Sequence, residues 1–296
     1  MSNDSPHGAE SGTVVVGADG SAVALAAALW AAESAERAHR PLHLVYGADL
    51  DRLLQLTPYE SQDATREAGR ALLETVADAV AARHPGLAVK KTFSRKAAAP
   101  ALLAAVEPDD TLVVGHRGHG GFRSLLLGSV ALTVAARCPV PVIVVRDQPG
   151  RPETGVVLAA VNAEGDTGWI GAAVREAQAR KAALRLVGIW NPLGQAGGVV
   201  SMLDGLDALA RRRVEELDAF ADTLARDHPG LVVEADVRSS GSAAGALVEA
   251  SGAADLLVVG GPDTRRHRPG GLGHVTHAVL HHAQCPVKVA PSADRT

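Results

Sequence analysis

An internal repeat constrains the fold of this chain more than any other feature of its sequence. Segments of the first half recur in the second half at a displacement of 145 residues: Leu112–Gly115 as Leu257–Gly260, Gly128 as Gly273, and Val140–Val142 as Cys285–Val287. A fourth segment recurs with a displacement one residue shorter, His84–Leu87 as His228–Leu231, as a single-residue indel in a loop would produce. A repeat unit of this length is a complete domain, so the sequence predicts two copies of one domain in tandem.

A polar segment rich in proline separates the two copies. Residues 147–154 read DQPGRPET, and residues that break helices and strands in this way mark a short linker. The predicted organisation is a disordered leader at residues 1–12, a first domain at 13–146, the linker, and a second domain at 155–292.

Short apolar segments alternate with alanine-rich segments in the first copy. The predicted strands are Thr13–Ala18, Leu42–Tyr46, Ala88–Phe93, Thr111–Gly115 and Val140–Arg146. The predicted helices are Ala22–Arg40, a segment from about Tyr59 to His84, Pro100–Val106 and Ser129–Arg137. Apolar strands without polar alternation are buried on both faces, as in a parallel sheet covered by helices. The sequence therefore predicts an α/β fold of two tandem doubly wound domains with helices on both faces of each sheet.

Composition excludes several classes of protein. A net charge of -4 and a pI near 6.3 argue against a nucleic-acid partner, because such proteins usually carry a strong basic excess. No apolar run is long enough for a membrane helix, and the polar start lacks the features of a signal peptide. The two cysteines, Cys138 and Cys285, suggest neither a disulfide framework nor a zinc cluster. We expect a cytoplasmic protein without a membrane partner.

A glycine-rich segment follows the fourth predicted strand. It reads Gly115-His116-Arg117-Gly118-His119-Gly120-Gly121, and Gly128-Ser129-Val130 then opens a helix. Ligands of doubly wound sheets bind beyond the carboxyl ends of the strands, and phosphates need backbone N–H donors, little side-chain bulk and a helix N-terminus. The alternatives are that the glycines only form a turn and that the Ser129 hydroxyl only caps its helix. The position between a strand and a helix favours phosphate binding.

An acidic turn follows the first predicted strand. In Gly17-Ala18-Asp19-Gly20-Ser21, the Asp19 carboxylate can accept hydrogen bonds from an adenine amine or a ribose hydroxyl. Capping of the helix near Ala22, by Asp19 or by Ser21, is an equally good interpretation.

The spacing Gly115-x2-Gly118-x9-Gly128-Ser129, together with the opening VVVGADGS, resembles the ATP-binding branch of the universal stress protein family. The match covers nearly the whole chain and is similar to the tandem members of actinobacteria. It implies a strand order of 3-2-1-4-5 and ATP, with or without Mg²⁺, at the strand ends. It also implies pairing of the last strands, Val140–Val145 and Pro286–Ala290, either in a homodimer or between the two copies of one chain.

The resemblance implies a role for individual residues. Asp19 would meet the adenosine, Tyr46 and Gly47 would line the adenine pocket, and the motif glycines would hold the phosphates. The full set of candidate nucleotide-binding residues is Gly17, Asp19, Ser21, Tyr46, Gly47, Gly115, Arg117, Gly118, His119, Gly120, Gly121, Gly128, Ser129 and Val130.

The second copy departs from the motif. Asp263 stands in place of the second motif glycine, Pro262 removes a backbone donor, His274 replaces the serine, and Asn162 is the nearest polar substitute for Asp19. A carboxylate about 4 Å from a phosphate charge costs on the order of 4 kcal/mol at an effective dielectric near 20. We therefore expect the second copy to bind ATP weakly or not at all.

Three functions remain open at this point. We expect a stress-response binding module without catalytic residues and with at most slow ATP hydrolysis. The alternatives are an ATP-hydrolysing or nucleotidyl-transferring enzyme with Asp19, His116 or His119 as its base, and a structural dimer with a vestigial pocket. The histidines His274, His277, His281 and His282 lie at helical spacing, but no acid or thiolate is placed nearby, so we interpret them as a solvated helix face and expect no metal site.

Overall fold

Short strands rich in valine and leucine alternate with alanine-rich helices along the chain. The computed structural model describes residues 12–50, 59–118, 127–146, 151–161, 168–191, 203–261 and 271–291, without the side chains of 59–61 and 203–207. The chain divides into two compact units, Met1–Asp147 and Gln148–Thr296. None of the helices that the structure describes is long and apolar enough to span a bilayer.

The described part of the first unit alternates five strands with four helices. They are β1 (Val14–Gly17), α1 (Ala22–Arg37), β2 (Leu42–Gly47), α2 (Tyr59–Ala81), β3 (Val89–Ser94), α3 (Ala98–Ala105), β4 (Thr111–Gly115), α4 (Ser129–Arg137) and β5 (Val142–Val145). Two ends differ from the prediction for reasons that involve proline. Helix α3 begins two residues before Pro100, since a first-turn residue needs no N–H donor, and β5 begins only after Pro141.

The five strands form one parallel sheet in the order β3-β2-β1-β4-β5. Val14 of β1 pairs with Leu42 of β2 on one side and with Thr111 of β4 on the other, and β3 and β5 complete the two flanks. The predicted α/β fold and strand order are confirmed. Strands β1, β4 and β5 are almost wholly buried, as expected for strands covered on both faces.

Adjacent residues at the end of β2 show that helices cover both faces. The ring of Tyr46 lies against Gly69 of α2, whereas a Cβ on Gly47 would lie 2.7 Å from Ala98 Cα at the start of α3. Because consecutive strand residues point to opposite faces, α2 and α3 lie on opposite sides of the sheet. Helix α1 packs with α2, and α4 packs with α3.

The end of the predicted leader is held against the first domain. Gly12 has a φ of 114° and its carbonyl accepts a hydrogen bond from Arg40 Nε at 3.2 Å. A Cβ on Gly12 would overlap the backbone of Asp109. Residue 12 is therefore an anchored position rather than part of a disordered leader, and residues 1–11 lie outside the described part of the chain.

The second unit repeats the architecture of the first. Its described elements are β6 (Val156–Val161), α5 (Ile170–Arg180), β7 (Ala183–Trp190), α6 (Leu203–Asp227), β8 (Val233–Ser239), α7 (Ala243–Ala250) with a 3₁₀ turn at Ser251–Ala253, β9 (Leu256–Gly260), α8 (His274–His282) and β10 (Val287–Ala290). The strands are parallel in the order β10-β9-β6-β7-β8, the same connectivity as in the first unit.

The second half of the predicted linker is bound to the second unit. Arg151 donates hydrogen bonds to the carbonyls of Ser251 at 3.1 Å and Gly252 at 2.6 Å. Thr154 donates its backbone N–H to Asp255 Oδ1 at 2.7 Å. Residues 151–154 are thus fixed at the amino end of this sheet, and residues 147–150 lie outside the described part.

A buried cluster of charges distinguishes the second unit. Glu176 of α5 bonds Lys288 Nζ of β10 at 2.8 Å and also pairs with Arg180 one turn along its helix. Burial acts to raise the pKa of Glu176, but the charges and hydrogen bonds of Lys288 and Arg180 outweigh it and lower that pKa from 4.5 to about 2.

Replacement of this glutamate tests the contribution of the cluster to stability. Because the folded-state pKa lies below the unfolded value, the charged glutamate contributes about 3 kcal/mol, fully present above about pH 4.5 and lost as the pH falls toward 2. Glu176→Gln should lower the free energy of unfolding at pH 7 by about 3–5 kcal/mol, since two cations lose their buried partner. The difference from the wild type should shrink between pH 4.5 and 2 in urea titrations.

Glu216→Gln is the matched control. Glu216 lies on the exposed face of α6 beside Arg212, with an Nε–Oε1 distance of 2.9 Å, and exposed ion pairs contribute little. An equal loss of stability in both variants would show that burial of the cluster does not matter.

Candidate functional site

The turn after β1 is held by two side chains. Ser21 is the N-cap of α1, and its hydroxyl accepts a hydrogen bond from the N–H of Ala24 at 3.0 Å. Asp19 Oδ1 accepts a hydrogen bond from the N–H of Ser21 at 2.9 Å. Ser21 therefore performs the capping that the sequence left open between the two residues, and Asp19 fixes the turn itself.

The second carboxylate oxygen of Asp19 lies against the loop after β4. A Cβ built on Gly118 would overlap Asp19 Oδ2, so only glycine fits at position 118 while Asp19 keeps this position. The ends of β1 and β4 thus converge, as expected for neighbouring parallel strands. The structure brings together two of the residues that the motif singled out.

The loop after β4 closes on the start of α4. The N–H of Gly128 donates to the carbonyl of His116 at 2.8 Å, and a Cβ on Gly128 would lie 3.5 Å from Arg117 Cα. Gly128 is the N-cap of α4, which has no side-chain cap, and Ser129 is its exposed first residue. The interpretation of Ser129 as N-cap is therefore wrong, because the loop closure places Gly128 one residue earlier at that position.

His116 is a structural residue of this loop. Its buried ring contacts the Val145 carbonyl through Nδ1 at 3.3 Å, and Arg117 Nε donates to its Nε2 at 3.0 Å. Because an arginine only donates, Nε2 must accept, which assigns the proton to Nδ1 and a neutral ring. Both ring nitrogens are engaged, so His116 is poorly suited to the role of general base. The sequence contained no signal for this pair other than adjacency.

Two of the candidate glycines serve helix packing. A Cβ on Gly115 would lie 2.8 Å from Val23 Cγ1 of α1, and one on Gly17 would lie 3.2 Å from Leu102 Cδ1 of α3. Their lack of a side chain lets the helices approach the strand ends.

Tyr46 and Gly47 lie at the end of β2 on opposite faces of the sheet. The Tyr46 ring stacks with Phe93 at a centroid distance of 5.8 Å on the α2 face, whereas Gly47 faces α3. They do not present side chains to one common surface. Val130 lies half-buried in the first turn of α4, and the candidates His119, Gly120 and Gly121 lie outside the described residues.

The equivalent strand end of the second unit is packed differently. A Cβ on Gly260, the counterpart of Gly115, would lie 2.8 Å from the indole Nε1 of Trp169. Trp169 is only 7% exposed and directly precedes α5, so a large ring packs where the first unit has Val23. Pattern matching missed Trp169 because it lies outside the motif. Asn162, Pro262 and Asp263 lie outside the described residues.

His274 begins α8 directly after Gly273, at the position that Ser129 has in the first unit. Further along α8, the rings of His277 and His281 are 4.6 Å apart. Within the part of the chain that the structure describes, no three His, Cys, Asp or Glu side chains form a group that could hold a metal ion.

Two tandem doubly wound domains, each with a glycine-containing loop after the fourth strand, define the class of this protein. A family model described as "Universal stress protein family" matches residues 10–146 and again 155–291. The chain therefore belongs to the universal stress protein family, as a tandem member.

Individual relatives are similar over almost their full length. Universal stress protein Rv2624c of Mycobacterium tuberculosis is 28% identical over 94% of this chain and 95% of its own. Universal stress protein Rv2005c of the same organism is 30% identical over 94% of this chain and 96% of its own. The crystal structure of a universal stress protein from Archaeoglobus fulgidus superposes with a TM-score of 0.70 at 17% identity, covering 97% of this chain and 99% of that one. The last comparison shows the shared fold.

Replacement of His116 tests its structural role. His116→Leu removes the ring donor to Val145 and the acceptor of Arg117, so the free energy of unfolding should fall by about 1–3 kcal/mol. Chemical denaturation followed by circular dichroism measures this change. His277→Leu, at an exposed position of α8, should stay within about 0.5 kcal/mol of the wild type. Equal stability of all three proteins would rule out the proposed role.

Proposed function

We propose that the protein is a stress-response binding module that holds ATP in its first domain and binds it weakly or not at all in its second. The observation that carries this proposal is the convergence of Asp19 and Gly118 in front of an uncapped helix. Such an arrangement places a carboxylate, a backbone loop and a helix N-terminus at one edge of the sheet, where doubly wound folds bind their ligands.

The loop and helix fit a phosphate chain. Gly118 and Gly128 contribute backbone without side chains, and α4 has no side-chain cap to compete for its first N–H groups. A helix N-terminus carries about half a positive charge, which favours an anion. Arg117 is exposed beside this loop and would add a full positive charge. ATP supplies phosphates of the matching charge, with or without Mg²⁺.

The turn after β1 fits the nucleoside. Asp19 is held in place by the Ser21 N–H, so its carboxylate would accept hydrogen bonds from a ribose hydroxyl or the adenine amine without further ordering. Tyr46 and Gly47, at the end of the neighbouring strand, would then border the base through the β2 backbone.

The second domain lacks these features. Trp169 packs a large ring against Gly260 at the strand end, and His274 stands where the first domain has Ser129. The sequence adds Pro262 and Asp263 in the loop after β9, which removes a donor and adds a negative charge. One nucleotide per chain is the expected stoichiometry.

Binding is favoured over catalysis by the state of the candidate bases. His116 uses both ring nitrogens within the loop, and Asp19 Oδ1 is bonded to a backbone N–H. Slow hydrolysis with His119 as base is the second candidate function. It would be supported by sustained turnover of labelled ATP that His119→Ala abolishes while binding survives.

The partner of the protein follows from its last strands. We expect β5 and β10 to pair, either between two chains in a homodimer or between the two copies of one chain. A vestigial pocket in a purely structural dimer is the third candidate, and it requires that purified protein bind no nucleotide.

A glycine substitution tests the proposal directly. In Gly118→Ala, the new Cβ displaces the Asp19 carboxylate, so the dissociation constant for ATP should rise at least tenfold, roughly 1.4 kcal/mol. Isothermal titration calorimetry of the full chain measures both affinity and stoichiometry.

Gly86→Ala is the matched control in the same domain. A Cβ at Gly86 meets nothing within 4 Å, so this variant should bind ATP as the wild type does. Two equal sites per wild-type chain would contradict the proposed asymmetry, and the absence of ATP binding would contradict the function.

A further inference from the structure

Helix α2 carries a buried amide on its sheet-facing side. Gln62 is only 3% exposed, yet its side chain makes no hydrogen bond to the part of the chain that the structure describes. Burial of an amide without a hydrogen-bond partner is unfavourable, so such groups normally have one. A partner outside the described chain would account for this amide.

The direction of α2 relative to the strands gives the height of Gln62. Glu74 of α2 pairs with Lys91 of β3, and Gly69, five residues earlier in the helix, lies against Phe93, two residues later in the strand. The helix therefore runs antiparallel to the strands, and its first turns lie at their carboxyl ends.

Two further turns of helix place Gln62 beyond the strand ends. Gln62 precedes Gly69 by seven residues, which keeps it on the same face and moves it about 10 Å toward the helix start. Gly69 lies against Tyr46, the last residue but one of β2. Gln62 is thus above the end of β2, the side of the candidate site at which the base is expected.

The same helix reaches the turn that carries Asp19. A Cβ on Gly20 would lie 2.8 Å from Leu72 Cδ1, so α2 borders the turn directly after β1. Gln62 lies closer to the start of α2 than Leu72 does, on the side away from the sheet. Helix α2 therefore forms a wall over the strand ends, with the amide at the height of the Asp19 turn or above it.

We propose that Gln62 recognises the adenine base of the nucleotide held by the first domain. The amide offers one acceptor and two donors in a plane. Adenine presents an amine donor next to a ring-nitrogen acceptor, and a glutamine pairs with such an edge through two hydrogen bonds. This assignment rests on the proposed ATP-binding function and adds to it a residue that determines base specificity.

Replacement by a residue of similar shape isolates the amide. Gln62→Met keeps the length of the side chain and removes both hydrogen-bonding groups. The dissociation constant for ATP should rise about tenfold or more, as for the loss of a two-bond base contact. The melting temperature of the ligand-free protein should stay the same or rise, because no bond within the chain is lost.

A nucleotide analogue gives an independent readout. Purine riboside triphosphate lacks the exocyclic amine, so the wild type should bind it more weakly than ATP. Gln62→Met should bind the two compounds with nearly equal affinity, since the group that distinguishes them is gone. Gln178→Met, the same substitution at an exposed position of α5, should behave as the wild type in every titration.

Distinct results separate this proposal from the one on which it rests. If the wild type binds no ATP, both fail. If the wild type binds ATP and Gln62→Met binds it equally well, only the role of Gln62 is overturned. A fall of more than about 3 °C in the melting temperature of ligand-free Gln62→Met would also overturn it, because the amide would then be bonded within the chain.

Discussion

The contact between the Asp19 carboxylate and the backbone of Gly118 is the interaction on which the candidate site depends. One carboxylate oxygen is fixed by the N–H of Ser21, and the other lies where a side chain at position 118 would have to be. This contact joins the ends of β1 and β4, and the bond from Gly128 to the His116 carbonyl then brings the start of α4 to the same place. Removal of the contact would separate the three elements that we propose for nucleotide binding.

The two domains use the same scaffold for different purposes. Both have the same strand order, yet the first ends its strands in an acidic turn and a glycine loop, whereas Trp169 packs against Gly260 in the second. The second domain also has Lys288 at the position where the first has Ile143, and Glu176 and Arg180 complete a buried cluster with it. The polar groups with strong electrostatic effects in the second domain thus bind one another, which supports stability rather than ligand binding.

The sequence predicted the elements well wherever a local pattern determined them. Buried valine runs identified the strands, and the family resemblance supplied their order. Local patterns failed where a residue acts through a distant partner. Gly115 faces Val23 and Gly47 faces α3, although the motif suggested ligand contacts for both. Loop closure at Gly128, which no spacing rule contains, removed Ser129 from the N-cap position.

Hydrogen exchange of the full chain with and without ATP, followed by mass spectrometry, tests the central claim of asymmetry most directly. We predict that ATP slows exchange in the turn at residues 17–21, in the loop at 115–118 and at the start of α4, because their N–H groups are covered or bonded by the nucleotide. The corresponding segments around Gly260 and at the start of α8 should exchange at unchanged rates. Equal protection in both domains, or no protection in the first, would contradict the account.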